Sequence, residues 1–107
     1  MRLAVVAGVL INANKKILVA ERPEGKVCAG LWEFPGGKIE SGESQLQALK
    51  REIQEELNLV VEQASFLFTH VNTFPDRIVD LHVWKVSAWS GDVKGMENQA
   101  YDWLTLE

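Results

Sequence analysis

The sequence has 107 residues, enough for a single domain (residues 1–107) with one hydrophobic core. With 47% hydrophobic and 24% charged residues, its composition excludes a disordered or fibrous chain. The net charge of −4 and the lack of a basic run argue against binding to long nucleic acid, because such binding depends on neutralising phosphates with Lys and Arg.

The first third of the chain predicts two strands and a loop. Residues 3–11 are nearly all apolar, as in a strand buried on both faces, and residues 12–14 predict a turn. Residues 16–21 then predict the returning strand of a hairpin. The polar residues 22–30 predict a loop, and the Pro-Gly-Gly sequence at residues 35–37 indicates a break in regular structure.

One amphipathic helix is predicted at residues 43–57. Ser41 or the Gly-Glu pair after it could begin the helix, and Asn58, which tolerates a left-handed backbone, could end it. Its apolar face is formed by residues at spacings of three and four: Leu46, Leu49, Ile53 and Leu57.

Three further strands are predicted after the helix, at residues 60–71, 77–89 and 100–106. Turn-forming residues separate the first two at Phe74-Pro75-Asp76. Strands, one helix and then more strands indicate an α+β domain around a mixed sheet.

The sequence carries no sign of export or of a membrane span. The apolar run at residues 3–11 is too short to cross a bilayer, and no signal-peptide cleavage pattern follows it. The single cysteine, Cys28, cannot form an intrachain disulfide, which fits a reducing compartment. We therefore expect a cytoplasmic protein without a membrane partner.

Three carboxylates share one side of the predicted helix. Glu52, Glu55 and Glu56 lie at i, i+3 and i+4, within an arc of about 100°. Like charges this close repel one another, and a hard cation such as Mg²⁺ or Mn²⁺ would remove the repulsion and also hold phosphates. Such triplets are more often solvated helix faces, but the adjacent Arg51 and the glycines ahead of the helix favour a metal site.

The spacing of these residues resembles the Nudix box. In that family, Gly, Glu, Arg-Glu, an aliphatic residue, Glu-Glu, Gly and an aliphatic residue recur at fixed distances. Here they correspond to Gly37, Glu43 and REIQEELNL at residues 51–59, and Asn58 alone departs from the pattern, at the family's second glycine. Asn is the next best residue for a left-handed backbone, so we expect the turn to be kept.

The resemblance extends to the MutT branch of the family over nearly the whole chain. LWEFPGGKIE at residues 31–40, FPDR at residues 74–77, and ENQ at residues 97–99 with Trp103 are similar to that branch. The branch hydrolyses oxidised guanine nucleotides such as 8-oxo-dGTP to the monophosphate and pyrophosphate. The resemblance therefore implies the Nudix α/β/α sandwich and an enzyme of nucleotide-pool sanitation and DNA repair that uses Mg²⁺, with Mn²⁺ as a substitute.

The resemblance also implies roles for particular residues. The metal ligands would be one carbonyl and four carboxylates: Gly36, Glu52, Glu55, Glu56 and Glu97. Either Glu52 or Glu97 would take a proton from the attacking water, and Arg51 would orient the carboxylates together with Glu43.

Substrate contacts are implied at four positions: Arg22, Phe34, Lys38 and Arg77. Each has an ordinary alternative, because surface arginines and lysines are common and Phe34 could pack in the core instead of stacking on a base. For Trp32, core packing is the slightly favoured interpretation. His70 and His82 have no partner that indicates catalysis, and we interpret both as structural.

Members of this branch continue beyond the strand at residues 100–106 into a helix that covers the sheet and supplies an asparagine that reads the oxidised purine. The sequence ends at Glu107. We therefore expect a depleted second helical layer, weaker purine selectivity and an exposed sheet face that favours self-association.

Two other functions fit the sequence. One is a Nudix pyrophosphohydrolase for other nucleotides, such as CTP or dCTP, although the FPDR turn favours 8-oxo-dGTP. The other is a non-catalytic Nudix-like module that binds nucleotides. Such modules typically lose the carboxylates of the box, and this chain keeps them.

Overall fold

The structure, a computed structural model, describes residues 1–21, 32–96 and 100–105, so the loop predicted at residues 22–30 lies outside the described residues. Within them, no helix is long and apolar enough to cross a membrane. The described residues form seven strands and one helix, in the order β1 (Arg2–Leu10), β2 (Lys16–Glu21), β3 (Trp32–Glu33), β4 (Gly36–Lys38), α1 (Gln45–Leu57), β5 (Val60–Thr73), β6 (Ile78–Ser90) and β7 (Tyr101–Thr105).

A four-stranded sheet in the order β4-β1-β6-β5 carries the helix. β1 is parallel to β6 and antiparallel to β4, and β5 is antiparallel to β6. This sheet confirms the predicted α+β class and the mixed strand directions. The single helix in the described part of the chain agrees with the expected depletion of the helical layers.

A second sheet of three antiparallel strands has the order β3-β2-β7. The turn predicted at residues 12–14 is present, with the Asn12 side chain accepting from the backbone N–H groups of Asn14 and Lys16. Beyond it, however, only Ile11 and Ile17 pair. The prediction that β1 and β2 pair as a hairpin is therefore wrong. β4 and β6 form hydrogen bonds with both edges of β1, so β2 pairs with other strands.

The apolar face of α1 packs on the four-stranded sheet as predicted. Leu49, Ile53 and Leu57 are fully buried and join Leu10 in the main core cluster. Gly8 of β1 permits this close approach, because a methyl group there would lie 2.8 Å from Cδ1 of Ile53. The helix thereby fixes the position of its acidic side relative to β1 and β4.

The start of α1 differs from the prediction by two residues. Ser44 is the N-cap: its hydroxyl accepts from the backbone N–H of Gln47, and the Gln47 side chain accepts from the N–H of Ser44. This reciprocal capping box satisfies two donors at the helix end, which Ser41 cannot do from its position. Glu43 consequently lies outside the helix.

The helix ends as predicted. Asn58 has φ 61° and ψ 32°, the left-handed conformation expected there, and its N–H donates to the carbonyl of Gln54. The later backbone N–H groups of Lys94 and Met96 donate to the carbonyls of Leu57 and Glu56. These contacts satisfy acceptors that a helix end otherwise leaves unpaired.

The break expected at residues 35–37 is wrong, since Gly36 begins β4 and pairs with β1. Pro35 lies just before the strand, where its missing N–H is not needed, and its carbonyl accepts from Gly8. A methyl group at Gly36 would clash with the carbonyl of Val6. The absence of side chains therefore lets this segment pair closely rather than preventing it from pairing.

Candidate active site

Arg51, near the middle of α1, holds three carboxylates. Its Nε and Nη2 donate to the two carboxylate oxygens of Glu43 at 2.7 and 2.9 Å. Its Nη1 donates to Glu52 at 2.8 Å and to Glu55 at 3.3 Å. Nη2 also donates to the carbonyl of Lys38 at 3.1 Å, which ties the helix to β4. One planar cation thus orients the acidic side of the helix.

Glu43 is the carboxylate most firmly held by Arg51. The side-chain hydrogen bonds from Arg51, with a further bond from the backbone N–H of Glu40, lower the pKa of Glu43 to about 2. Glu43 therefore stays ionised at neutral pH and keeps Arg51 in place. This arrangement suits a group that orients the other carboxylates rather than one that exchanges a proton.

The Glu52 carboxylate lies against the backbone of Gly37. A methyl group at Gly37 would lie 2.6 Å from the carboxylate carbon of Glu52, so only glycine leaves room for this carboxylate. The Glu52 side chain is 16% exposed, and burial raises its pKa, although Arg51 offsets part of the rise. The raised pKa makes Glu52 a better candidate than Glu43 for accepting a proton.

The donor chemistry of this cluster fits a hard divalent cation. All the candidate donors are oxygens, and Glu52 lies within hydrogen-bonding distance of Glu56. Among residues 1–21, 32–96 and 100–105, however, no three His, Cys, Asp or Glu side chains are arranged to hold a metal ion. Instead, Arg51 donates hydrogen bonds to Glu52 and Glu55. Arg51 contacts one oxygen of each carboxylate, Oε1 of Glu52 and Oε2 of Glu55, so the second oxygen of each is the candidate ligand for a cation.

A cavity of about 340 Å³ opens beside the cluster, between the two sheets. Glu33 is its one charged lining residue among those described, and the other walls are apolar side chains and glycine backbone. It is lined by Val5, Val6, Ala7, Val19, Trp32, Glu33, Phe34, Gly36, Gly37 and Leu81. An apolar cleft with two aromatic walls suits a planar ring.

The structure places the predicted substrate residues unevenly. Phe34 lines the cavity and is 40% exposed. Trp32 also lines it and is 48% exposed, so the favoured core packing of Trp32 is wrong. Lys38 ends β4 beside Arg51, but its side chain is not part of the cavity wall.

Arg77 lies in the turn between β5 and β6 rather than in the cavity wall. Its guanidinium pairs with Asp76 at 2.9 Å and lies 4.6 Å from the centre of the Phe74 ring. Arg22 and Glu97 lie outside the described residues. Met96, which precedes Glu97, donates from its backbone N–H to the carbonyl of Glu56.

Sequence reasoning missed the apolar walls of the cavity. Val5 and Ala7 come from β1 and Leu81 comes from β6, strands that are adjacent in the sheet but distant in the chain. Side chains alternate between the two faces of a strand, a rule that assigns Val5 and Ala7 to one face but not to a cavity. Gly37 was recognised by its spacing, and the space it leaves for Glu52 was not.

The family of the chain follows from comparison with known proteins. The NUDIX domain family matches residues 1–107. The chain belongs to the NUDIX family. Membership confirms the Nudix resemblance and the prediction of a hydrolase.

Individual relatives of this Nudix chain are similar over most of their length. CTP pyrophosphohydrolase from Escherichia coli K12 is 40% identical over 107 residues, which are 100% of this chain and 79% of that protein. The 8-oxo-dGTP diphosphatase of the same strain is 37% identical over 98% of this chain and 81% of its own. A MutT structure from work on the Aliivibrio salmonicida and Vibrio cholerae enzymes superposes with a TM-score of 0.81, at 34% identity, over 98% of this chain and 81% of that one.

Proposed function

We propose that this Nudix hydrolase converts 8-oxo-dGTP to 8-oxo-dGMP and pyrophosphate, in the cytoplasm. The observation that carries the proposal is the Arg51-centred carboxylate cluster next to a cavity with aromatic walls. The cluster suits a metal-bound triphosphate, and Trp32 and Phe34 suit a purine ring. The similarity to 8-oxo-dGTP diphosphatases, at 37% identity for the E. coli enzyme, supports the choice of substrate.

Of the described residues, Glu52 would act as the general base of the hydrolysis. Its carboxylate is largely buried, and burial raises its pKa, so it accepts a proton more readily than an exposed glutamate. At its Oε atoms it would take the proton from the water that attacks an internal phosphorus of the triphosphate. Arg51 would hold the carboxylate in the orientation for this step, and Glu43 would keep Arg51 charged and in place.

The divalent metal would be held by the carbonyl of Gly36 and by the carboxylates of Glu52, Glu55, Glu56 and Glu97. Mg²⁺, or Mn²⁺ in its place, would supply electrostatic stabilisation of charge on the phosphate oxygens. Thermal melting with and without Mg²⁺ tests this assignment, because a ligand that binds the folded chain raises its melting temperature. We expect that rise in the wild type and not after Glu52, Glu55 and Glu56 are all changed to Gln.

A second candidate substrate is CTP. The observation that favours it is the 40% identity to CTP pyrophosphohydrolase over the whole of this chain. The cavity walls do not by themselves discriminate, because stacking on Trp32 and Phe34 is open to purines and pyrimidines alike.

Hydrolysis of 8-oxo-dGTP, dGTP and CTP by the full chain with Mg²⁺ separates the two candidates. We expect kcat/KM for 8-oxo-dGTP to exceed the value for each of the others by about tenfold or more. A preference for CTP would replace the proposal with the second candidate. No turnover of any of the three would favour a binding module instead.

Glu52→Gln tests the role of the Glu52 carboxylate in this assay, since the substitution removes the negative charge and hardly changes the shape of the side chain. We expect activity to fall about 100-fold or more while the melting temperature changes little. Glu62→Gln, on the exposed part of β5, should leave activity unchanged. Full activity in Glu52→Gln would rule out Glu52 as the base.

We also propose that the chain self-associates through β5. In the described part of the chain, β5 pairs on one side with β6 and its other edge is open. Phe66, Leu67, Phe68 and Val71 of this strand are each about half exposed. An open strand edge with apolar side chains is a surface that favours pairing with another chain.

A further inference from the structure

One row of residues crosses the four-stranded sheet from the acidic cluster to the far side of the cavity. Lys38 of β4 is opposite Val5 of β1, Val5 is opposite Leu81 of β6, and Leu81 is opposite His70 of β5. Residues directly opposite one another in neighbouring strands point to the same side of a sheet. His70 therefore points to the same side of the sheet as Val5 and Leu81, which line the cavity.

The two ends of this row, Lys38 and His70, lie on opposite sides of the cavity residues Val5 and Leu81. Lys38 is tied to the acidic cluster through the bond from Arg51 to its carbonyl. With strands about 4.8 Å apart, His70 is three strand spacings, about 14 Å, from Lys38. A nucleotide whose phosphates lie at the cluster and whose base enters the cavity between Trp32 and Phe34 would direct the far edge of that base towards His70.

His70 is paired on this face with Asn72. Nε2 of His70 lies 2.9 Å from Oδ1 of Asn72, and both side chains lie on the cavity side of β5, because residues alternate along a strand. An amide oxygen only accepts, so Nε2 donates and Nδ1 of the neutral ring is left as an acceptor. Nδ2 of Asn72 is a donor. The pair therefore offers an acceptor and a donor to a ligand.

This pairing complements the edge that oxidation changes in guanine. Guanine presents two acceptors there, N7 and O6. In 8-oxoguanine the N7 position carries a hydrogen and becomes a donor, with carbonyl acceptors on both sides. In the oxidised base, Nδ1 of His70 can accept from N7–H and Nδ2 of Asn72 can donate to a neighbouring carbonyl. In normal guanine, Nδ1 of His70 would face N7, and two acceptors cannot form a hydrogen bond.

We propose that His70 and Asn72 contact the base edge of the substrate and set the preference for 8-oxo-dGTP over dGTP. The inference rests on the proposed function, since it assigns the base-reading groups of the same site. It also gives His70 a role beyond the structural one that the sequence indicated.

The sheet contains a matched control on its opposite face. Oγ1 of Thr69 on β5 lies 2.7 Å from Nδ1 of His82 on β6, and both side chains point away from the cavity. His82→Ala removes an imidazole from these strands as His70→Ala does. It cannot affect base contacts if the face assignment is right.

The first test is binding of the product 8-oxo-dGMP to the full chain, followed by NMR. We expect the ring signals of His70 to shift and saturate together with the indole N–H of Trp32, which reports occupation of the cavity, while those of His82 stay in place. Saturation of Trp32 without a change at His70 would overturn the proposal. Absence of binding at Trp32 and His70 would also overturn it.

The second test is the ratio of kcat/KM for 8-oxo-dGTP to that for dGTP. We expect His70→Ala and Asn72→Ala each to lower this ratio about tenfold, because a lost polar contact to one of two similar bases removes discrimination. His82→Ala should leave it unchanged. An unchanged ratio in both variants, or an equal fall in His82→Ala, would overturn the proposal. A wild type that turns over neither nucleotide would refute the proposed function, and the NMR test would still decide the role of His70.

Discussion

Gly36 and Gly37 are consecutive in β4 but have different neighbours. A methyl group on Gly36 would meet the backbone carbonyl of Val6, which belongs to a paired strand and cannot move far. A methyl group on Gly37 would meet the carboxylate of Glu52, which ends a flexible side chain. The first glycine is therefore needed for strand pairing, and the second is needed for the position of the candidate base.

Gly37→Ala should separate activity from stability. The added methyl displaces the Glu52 carboxylate, and a displacement of about 1 Å at a reacting group can lower activity about 100-fold. Stability should change by no more than about 1 kcal/mol, since the backbone at Gly37 is not in the left-handed region. Kinetics and urea unfolding of the same preparation measure both quantities.

Gly36→Ala is the control for that variant. Its methyl would push against the backbone of β1, so we expect a large loss of stability and of soluble protein. A Gly37→Ala variant with full activity would show that Glu52 can work from another position. A Gly37→Ala variant that unfolds as readily as Gly36→Ala would show that Gly37, too, serves mainly to let β4 pair.

The bond between Arg51 and Glu43 makes stability depend on pH in the acid range. The pKa of Glu43 is lowered from an ordinary value of 4.5 to about 2 in the folded chain. A lowered pKa stabilises the folded chain above the unfolded value, and this contribution is lost as the pH falls from 4.5 towards 2.

Glu43→Gln tests this dependence. We expect the variant to melt below the wild type at neutral pH, and the difference in melting temperature to shrink as the pH falls below 4.5. Melting followed by circular dichroism over this range gives the difference, and Glu62→Gln reports the general effect of removing one negative charge. A difference that stayed constant down to the lowest pH would mean that ionised Glu43 does not stabilise the fold.

The two ends of α1 show what local sequence could and could not predict. Asn58 was identified because few residues accept a left-handed backbone, and the structure has it there with φ 61°. The predicted start is two residues too early because two serines, Ser41 and Ser44, precede the apolar face, and either is a suitable cap. The glutamine three residues after Ser44 decides between them.

Ser44→Ala should therefore destabilise the chain and Ser41→Ala should not. Loss of an N-cap hydroxyl costs about 1 kcal/mol, and the hydroxyl that caps the helix belongs to Ser44, not to Ser41. The free energy of unfolding in urea measures both variants. Equal losses in the two variants would contradict the cap assignment.

The positions of the five longer strands are predictable from the sequence, but those of β3 and β4 are not, and neither are the strand partners. Two apolar runs joined by a turn, as in β1 and β2, are typical of a hairpin, but the same pattern also occurs when the two strands pair with other strands. The actual partners of β1 are β4 and β6, which come from distant parts of the chain. The same limit applies to the site: fixed spacing revealed Gly37, Glu43 and the acids of α1, whereas the cavity and the position of His70 depend on how β1, β6 and β5 align.

The molecule as a whole is asymmetric in how its sheets are covered. Val6, Leu10 and Val86 are buried with α1 in the main core cluster, while Val9 and Val83 pack with Ile17 of the second sheet. β5 extends beyond both of these core clusters, and among the described strands only β6 pairs with it, which leaves its other edge open. Apolar exposure on this strand is therefore a property of the architecture, because only its first part, with Val61 and Ala64, joins the core under α1, while Phe66, Leu67, Phe68 and Val71 stay about half exposed.

Self-association through β5 should make the apparent mass depend on concentration. We expect the molar mass measured by light scattering after gel filtration to rise from the monomer mass of 12.0 kDa towards twice that value as the protein concentration increases. Leu67→Lys combined with Val71→Lys places charge on the open strand and should keep the chain monomeric, because charged edges oppose strand pairing. Activity should persist in this variant, since neither residue lines the cavity. Val60→Lys, at the start of the strand, controls for added charge. A wild type that remains at the monomer mass at every concentration would refute self-association, and a double variant that still dimerises would place the interface on another surface.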